Sequence, residues 1–197
     1  MLPVSKPRVD SAAYLALERG SETKHELVNG EILAMSGASP VHNLIAMNLG
    51  RRLSELVSGK PCVVLSSDQR VHVPATGLFA YPDLTVVCGA PKLHPEDDHT
   101  LLNPVVLVEV LSDSTEAYDR GAKFAHYQGI ASLEEYVLVS TREKRVEHYR
   151  RQGGEQSGQW LLTVCVASSG RIVFPTLGGD VALADVYEKT EAFGVAS

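Results

Sequence analysis

Residues 105–112 read VVLVEVLS, a short β-branched run with one glutamate in its middle. Side chains alternate faces along a strand. Val105, Leu107, Glu109 and Leu111 therefore share one face, and Val106, Val108 and Val110 share the other. Apolar side chains on both faces predict a strand covered on both sides. Glu109 then points where leucines point. An unpaired buried carboxylate costs several kcal/mol, so Glu109 has to be paired, protonated or bound to a metal.

A second carboxylate, Asp83, stands in another apolar run, YPDLTVVCG at 81–89. Taken singly, Glu109 reads as one half of a structural ion pair and Asp83 as a turn cap after Pro82. Taken together, adjacent strand ends would bring the two carboxylates close. Like charges at short range resist joint ionisation unless a cation lies between them. Oxygen-only ligands suit a hard ion, Mg²⁺ or Mn²⁺. A nearby lysine would then serve phosphate chemistry. Lys123 is the candidate, on a helix expected to follow the Glu109 strand, with Asp119 one turn before it and Tyr127 one turn after. The plainer account of Asp119 and Lys123 is a surface i,i+4 pair contributing a few tenths of a kcal/mol.

The rest of the chain predicts one α+β domain, residues 1–197, in which helices flank a central, mixed, mostly antiparallel sheet. Residues 11–19 read as a short helix. Residues 24–36 read as a hairpin turning at Asn29-Gly30, the strongest short hairpin signal. Residues 40–58 carry apolar side chains near a 3.6 period, with Pro40 suited to the first turn and Gly59 to the stop. Strands are expected at 62–67, 69–74 and 134–140, with a strand-rich tail after it. KLHPEDDHT (92–100) reads as a polar loop, and a helix is expected from Glu116 to Gln128, with Ser114 or Thr115 as its N-cap. Gly121 inside that helix costs about 1 kcal/mol relative to Ala, which suggests a close helix–sheet approach.

The net charge of −6 speaks against a broad basic surface but not against a local groove. The chain has no apolar stretch of about 18 residues, so no membrane span is expected, and its first residues lack an apolar signal core. Cys62, Cys88 and Cys165 sit far apart in apolar runs. They read as reduced, buried thiols of a cytoplasmic protein. The histidines are scattered and no CxxC occurs, which leaves a structural zinc site without support.

A set of linked blocks carries a resemblance. PD at 82–83 is followed after about 25 residues by EVLS, then by YDRGAKFAHY and EEYVLV; HELVNGEI, SPVHNLIAMNL, SSDQRVHVP and LLNPVVLVEVLSDST complete the pattern. It resembles the PD-(D/E)XK nuclease superfamily, and within it the Uma-type restriction-endonuclease family, over roughly residues 10–190. The resemblance implies a restriction-endonuclease-like fold and a metal-dependent endonuclease acting on DNA, with a homodimer left open. It implies that Asp83 and Glu109 ligate the metal and that Glu26 is a third acid. The superfamily often places its lysine two residues after the glutamate, where this chain has Leu111. The resemblance implies that the lysine has moved onto the next helix, as Lys123.

His42, opening the long helix, is either site-lining or a satisfied helix-terminal histidine. Asp68 and Gln69 read as turn residues. Arg142, Lys144, Arg145, Arg150 and Arg151 gather on one hairpin, either as charges guarding an edge strand or as phosphate contacts. Against the nuclease stands a catalytically silent binding or assembly module on the same fold. A two-carboxylate glycosidase would leave Lys123 without a job, and the chain has a single Trp for a sugar platform.

Overall fold

The computed structural model describes residues 8–154, 158–166 and 170–195, so the ends of the expected 1–197 domain lie outside the described residues. The first helix, α1 (Ser11–Arg19), starts where the Asp10 side chain accepts a hydrogen bond from the Ala13 N–H. Strands β1 (His25–Val28) and β2 (Glu31–Ala34) form the expected hairpin. Asn29 and Gly30 both take positive φ, 51° and 81°, as a two-residue hairpin turn requires. Helix α2 (Pro40–Leu56) is capped by Ser39, with Pro40 in its first turn.

Strands β3 (Cys62–Ser66), β4 (Arg70–Val73), β5 (Leu78–Ala80) and β6 (Leu84–Cys88) follow. Next come β7 (Leu93–His94) and β8 (Asp97–Leu101), where a polar loop was expected, and then the glutamate strand β9 (Val106–Val110). The expected continuous helix is a composite: α3 (Glu116–Tyr118), a π turn over Asp119–Lys123, and α4 (Phe124–Tyr127). Thr115 is its N-cap residue, but the Thr115 hydroxyl turns to Ser112, 2.9 Å away, and caps nothing. Strands β10 (Glu135–Val139), β11 (Val146–Gln152) and β12 (Gln159–Cys165) precede a small ribbon, β13 (Arg171–Phe174) with β14 (Gly179–Ala182), and the short α5 (Leu183–Val186).

The central mixed sheet has the order β12-β11-β10-β9-β6-β3. Only β9 and β10 run parallel in it, joined by the composite helix. A second six-stranded sheet, β2-β1-β5-β4-β8-β7, was not foreseen. The alternation read from β9 holds. Val106, Val108 and Val110 face a core formed with Ile45, Leu49 and Leu53 of α2 and with the C-terminal ribbon. Leu107 and Leu111 face the other core, formed with Val71, Val73, Leu78 and Ala80 of the second sheet and with Phe124 and Tyr127. Glu109 lies on that second face, between the two sheets.

Three further expectations need correction. Cys62 and Cys88 are directly opposite in the β3–β6 register, with Cα atoms 4.0 Å apart, and form a disulfide. Cys165 is the free thiol. The pairing removes the argument from reduced thiols for a cytoplasmic location; no helix among the described residues is long and apolar enough to cross a membrane. The basic hairpin is not a guarded edge, because β11 is flanked by β10 and β12. Its charges are partly spent: Arg142 pairs with Asp113, Arg145 with Glu147, and Arg151 bonds to the Leu133 carbonyl and lies over the Trp160 ring. Gly121 does not serve a close approach either, since a Cβ there would meet nothing within 4 Å.

Candidate active site

The antiparallel register of β6 and β9 pairs Leu84 with Val108. Continued by one residue, it sets Asp83 across from Glu109. Asp83 precedes β6, and its Oδ2 accepts a hydrogen bond from the Val110 N–H at 2.7 Å, which ties the end of one strand to the next. From α2, the His42 Nε2 reaches the same oxygen at 3.2 Å. Burial pulls the His42 pKa down, but the hydrogen bond and charge of Asp83, with the Val110 backbone, outweigh it, and the net direction is up.

Glu109 is 5 % exposed and does not stand alone. Its Oε1 lies 3.0 Å from Lys123 Nζ and accepts a hydrogen bond from the Tyr127 hydroxyl at 2.9 Å. The same ammonium contacts Glu26 Oε1 at 3.1 Å and Asp119 Oδ1 at 3.5 Å. Glu26 arrives from β1 in the second sheet and also accepts, at 3.4 Å, from the Tyr81 N–H. The five sequence-predicted residues thus fall into two contacting groups, Glu26–Glu109–Lys123 and His42–Asp83. Adjacent residues Glu109 and Val110 join the groups.

Asp119 was read as half of a surface pair, yet it is 2 % exposed and Lys123 is 5 % exposed. The signal was present in the sequence. Tyr127 continues the line Asp119–Lys123 by another four residues, and a large aromatic on a helix next to an apolar strand marks the buried face. Tyr118 was also missed; its ring lies 5.8 Å from Lys123 Nζ.

The site carries more negative than positive charge. Three carboxylates touch one ammonium, and Asp83 adds a fourth. Burial is the main reason the Glu109 pKa stands well above the ordinary carboxylate value; Lys123 opposes the shift, and Asp119, Asp83 and Glu26 add to it. Asp119 is raised for the same reasons, with burial first. Lys123 is held protonated: burial opposes its charge, but Glu109, Glu26 and Asp119 overcome that opposition.

Two oxygens remain uncommitted. Among the described residues, neither Asp83 Oδ1 nor Glu109 Oε2 accepts a hydrogen bond. Together they are hard donors of the kind that bind Mg²⁺, which commonly uses one or two carboxylates and fills its other positions with water and phosphate. No group of three or more His, Cys, Asp or Glu side chains among the described residues is arranged to hold an ion without such help.

A second buried polar network lies behind the site. Arg70 donates to Thr100 Oγ1 and the Tyr81 hydroxyl, both at 2.8 Å, and to Asp97 at 2.5 Å. The Tyr81 hydroxyl donates to Glu18 at 2.8 Å, and burial pushes its pKa up to about 12. Tyr81 is two residues from Asp83, so this network anchors the segment that carries the metal-ligand candidate. Asp68, by contrast, is an exposed turn residue paired with Lys24.

Comparison with known proteins identifies the family and the fold. A family model described as "Putative restriction endonuclease", Uma2, matches residues 11–183. Two proteins of Synechocystis sp. are similar: uncharacterized protein sll1609, 34 % identical over 175 residues, covering 88 % of this chain and 97 % of the relative, and uncharacterized protein slr1290, 32 % identical over 184 residues, covering 92 % of each. A crystal structure titled as a "putative nuclease belonging to DUF820" from Anabaena variabilis superposes with a TM-score of 0.75 at 15 % identity, over 92 % of this chain and 99 % of that one. That likeness shows a shared restriction-endonuclease-like α+β fold. The chain belongs to the Uma2 family of "Putative restriction endonuclease" proteins.

Proposed function

We propose that this chain is a divalent-cation-dependent nuclease that hydrolyses phosphodiester bonds of DNA at the Asp83–Glu109–Lys123 site. One observation carries the reading: a lysine on the crossover helix lies 3.0 Å from a strand glutamate whose register partner is the aspartate of the PD pair. Family membership supports it.

In this reading Asp83 and Glu109 offer their uncommitted oxygens to Mg²⁺ or Mn²⁺. When bound, the ion polarises water and a phosphoryl oxygen. Tyr127 fixes the Glu109 carboxyl by hydrogen bonding, and the Val110 N–H and His42 fix that of Asp83. Lys123 supplies positive charge for the phosphoryl oxygens and orients the attacking water. Glu26 and Asp119 hold the ammonium in place and keep it protonated. The surplus of carboxylates favours a cation over a proton.

The competing reading is a silent module, in which the three ion pairs of Lys123 are purely structural. Plasmid nicking in Mg²⁺, Mn²⁺ or EDTA separates the two, with calorimetric metal titration alongside. Nicking that needs metal and falls by orders of magnitude in Glu109→Gln supports the nuclease. Cleavage that persists in EDTA overturns the metal dependence. Metal binding without cleavage of any DNA or RNA substrate establishes the silent module.

A further inference from the structure

The back of the central sheet holds a cleft of about 290 Å³ between β11–β12 and the β13–β14 ribbon. Its floor is set by strand alternation: His148 pairs with Val137 and Thr163, and Arg150 with Glu135 and Leu161. Directly opposite residues share a face, so His148, Arg150 and Thr163 line one side, opposite to that of Glu109. Arg171 and Ile172 of β13 form the other wall, and Cys165 closes one end.

We propose that this cleft binds a phosphate monoester of mononucleotide size. Arg150 has no acceptor for its guanidinium among the described residues, which is unusual for an arginine in a cleft, and it lines this one. Arg171 is paired with Asp180 through Nε, and its terminal nitrogens have no partner among the described residues. His148 is 7 % exposed; its Nε2 lies 2.7 Å from Glu135 Oε2, and its Nδ1 bonds to no described residue. Glu135 is fully buried; its Oε1 accepts from the Thr176 N–H, while its Oε2 and His148 Nε2 lie close but make no hydrogen bond. Two arginines, one histidine and one threonine therefore line a common cleft, with the Glu135 carboxylate buried behind His148. Planar guanidinium forks match phosphate oxygens. The space is several times the roughly 30 Å³ share of one water, so it admits more than a bare ion. Ile172 and the Cys165 thiol, which burial keeps protonated, supply an apolar wall for an organic group.

Cys165 provides the probe, because the other two cysteines are joined to each other. The rate of maleimide labelling would be followed on the intact, disulfide-bonded protein in EDTA at matched ionic strength. The additions are inorganic phosphate, a 5′-mononucleotide, and an oligonucleotide without terminal phosphates. The expected result is slower labelling with phosphate, stronger protection with the mononucleotide and none with the oligonucleotide. In Arg150→Gln, protection should need about tenfold more ligand, the loss of one hydrogen bond to a charged group, while the melting temperature is unchanged. Absence of protection by the mononucleotide, equal protection by the oligonucleotide, or protection unaltered in Arg150→Gln overturns the proposal. Because the assay contains no divalent cation, its outcome is independent of the nuclease site.

Discussion

Lys123 and Glu109 lie 3.0 Å apart and are each about 5 % exposed, one on the crossover helix and the other on the strand that leads into it. Removing the ammonium leaves Glu26, Glu109 and Asp119 facing one another without a counter-charge. Lys123→Ala should therefore lose about 3–5 kcal/mol of stability at neutral pH, as broken buried pairs do, and all nicking activity. A chemical-denaturation midpoint close to that of the wild type would show that the ion pairs are not structural.

Glu109→Gln has the opposite profile. The amide oxygen still accepts from Tyr127 and Lys123, and one surplus negative charge disappears. Stability without metal should stay within about 1 kcal/mol of the wild type, while cleavage falls by about 10²–10³-fold. Denaturation curves and nicking rates on the same preparations test both halves.

The pH dependence has a definite sign. Glu109 and Asp119 have folded pKa values raised above their ordinary values of 4.5 and 3.8. The folded state therefore holds protons that the unfolded chain has released, and stability falls as pH rises through that window. His42 is raised above 6.5; its contribution is complete below that value and is lost as pH rises through the folded pKa. All three act in one direction. Melting temperatures without metal should climb as pH drops from about 8 toward 6.5, above the range in which His72, its pKa lowered by burial, opposes the trend, and saturating Mg²⁺ should flatten it.

Gly121→Ala should raise stability by about 0.5–1 kcal/mol and leave nicking unchanged. The added methyl meets nothing within 4 Å, and Gly121 does not have a positive φ. A destabilised variant would mean that the π turn requires glycine for a reason other than space.

The disulfide closes a segment with a sequence separation of 26. Cys62→Ser should cost about 2–4 kcal/mol through the greater freedom of the unfolded chain. Because the bridge joins β3 to the far end of β6 from Asp83, metal affinity should change little in isothermal titration.

What could be read from the sequence followed the strength of local signals. The β1–β2 turn, α2 and the faces of β9 rest on short-range patterning, and the structure has them where they were expected. Strand β8 was hidden because buried Asp97 and Thr100 are held by Arg70, a long-range partner that hydrophobic patterning cannot see. The second sheet was missed with it, and so was the three-residue β5. Glu26, Asp83, Glu109 and Lys123 could be picked out as chemistry-bearing residues. That three carboxylates converge on Lys123 could not, because the π turn and the packing of two sheets decide it. Cys62 and Cys88 could not be paired before the β3–β6 register was known.

Glu26 belongs to one six-stranded sheet and Glu109 to the other, and the Lys123 ammonium touches both. The lysine is thus a rivet as well as a candidate catalytic group. Sliding or parting of the sheets would strand buried carboxylates, so neither sheet opens independently at modest cost. Native-state hydrogen exchange should find β1 and β9 opening together, with one shared free energy, in a single cooperative unit.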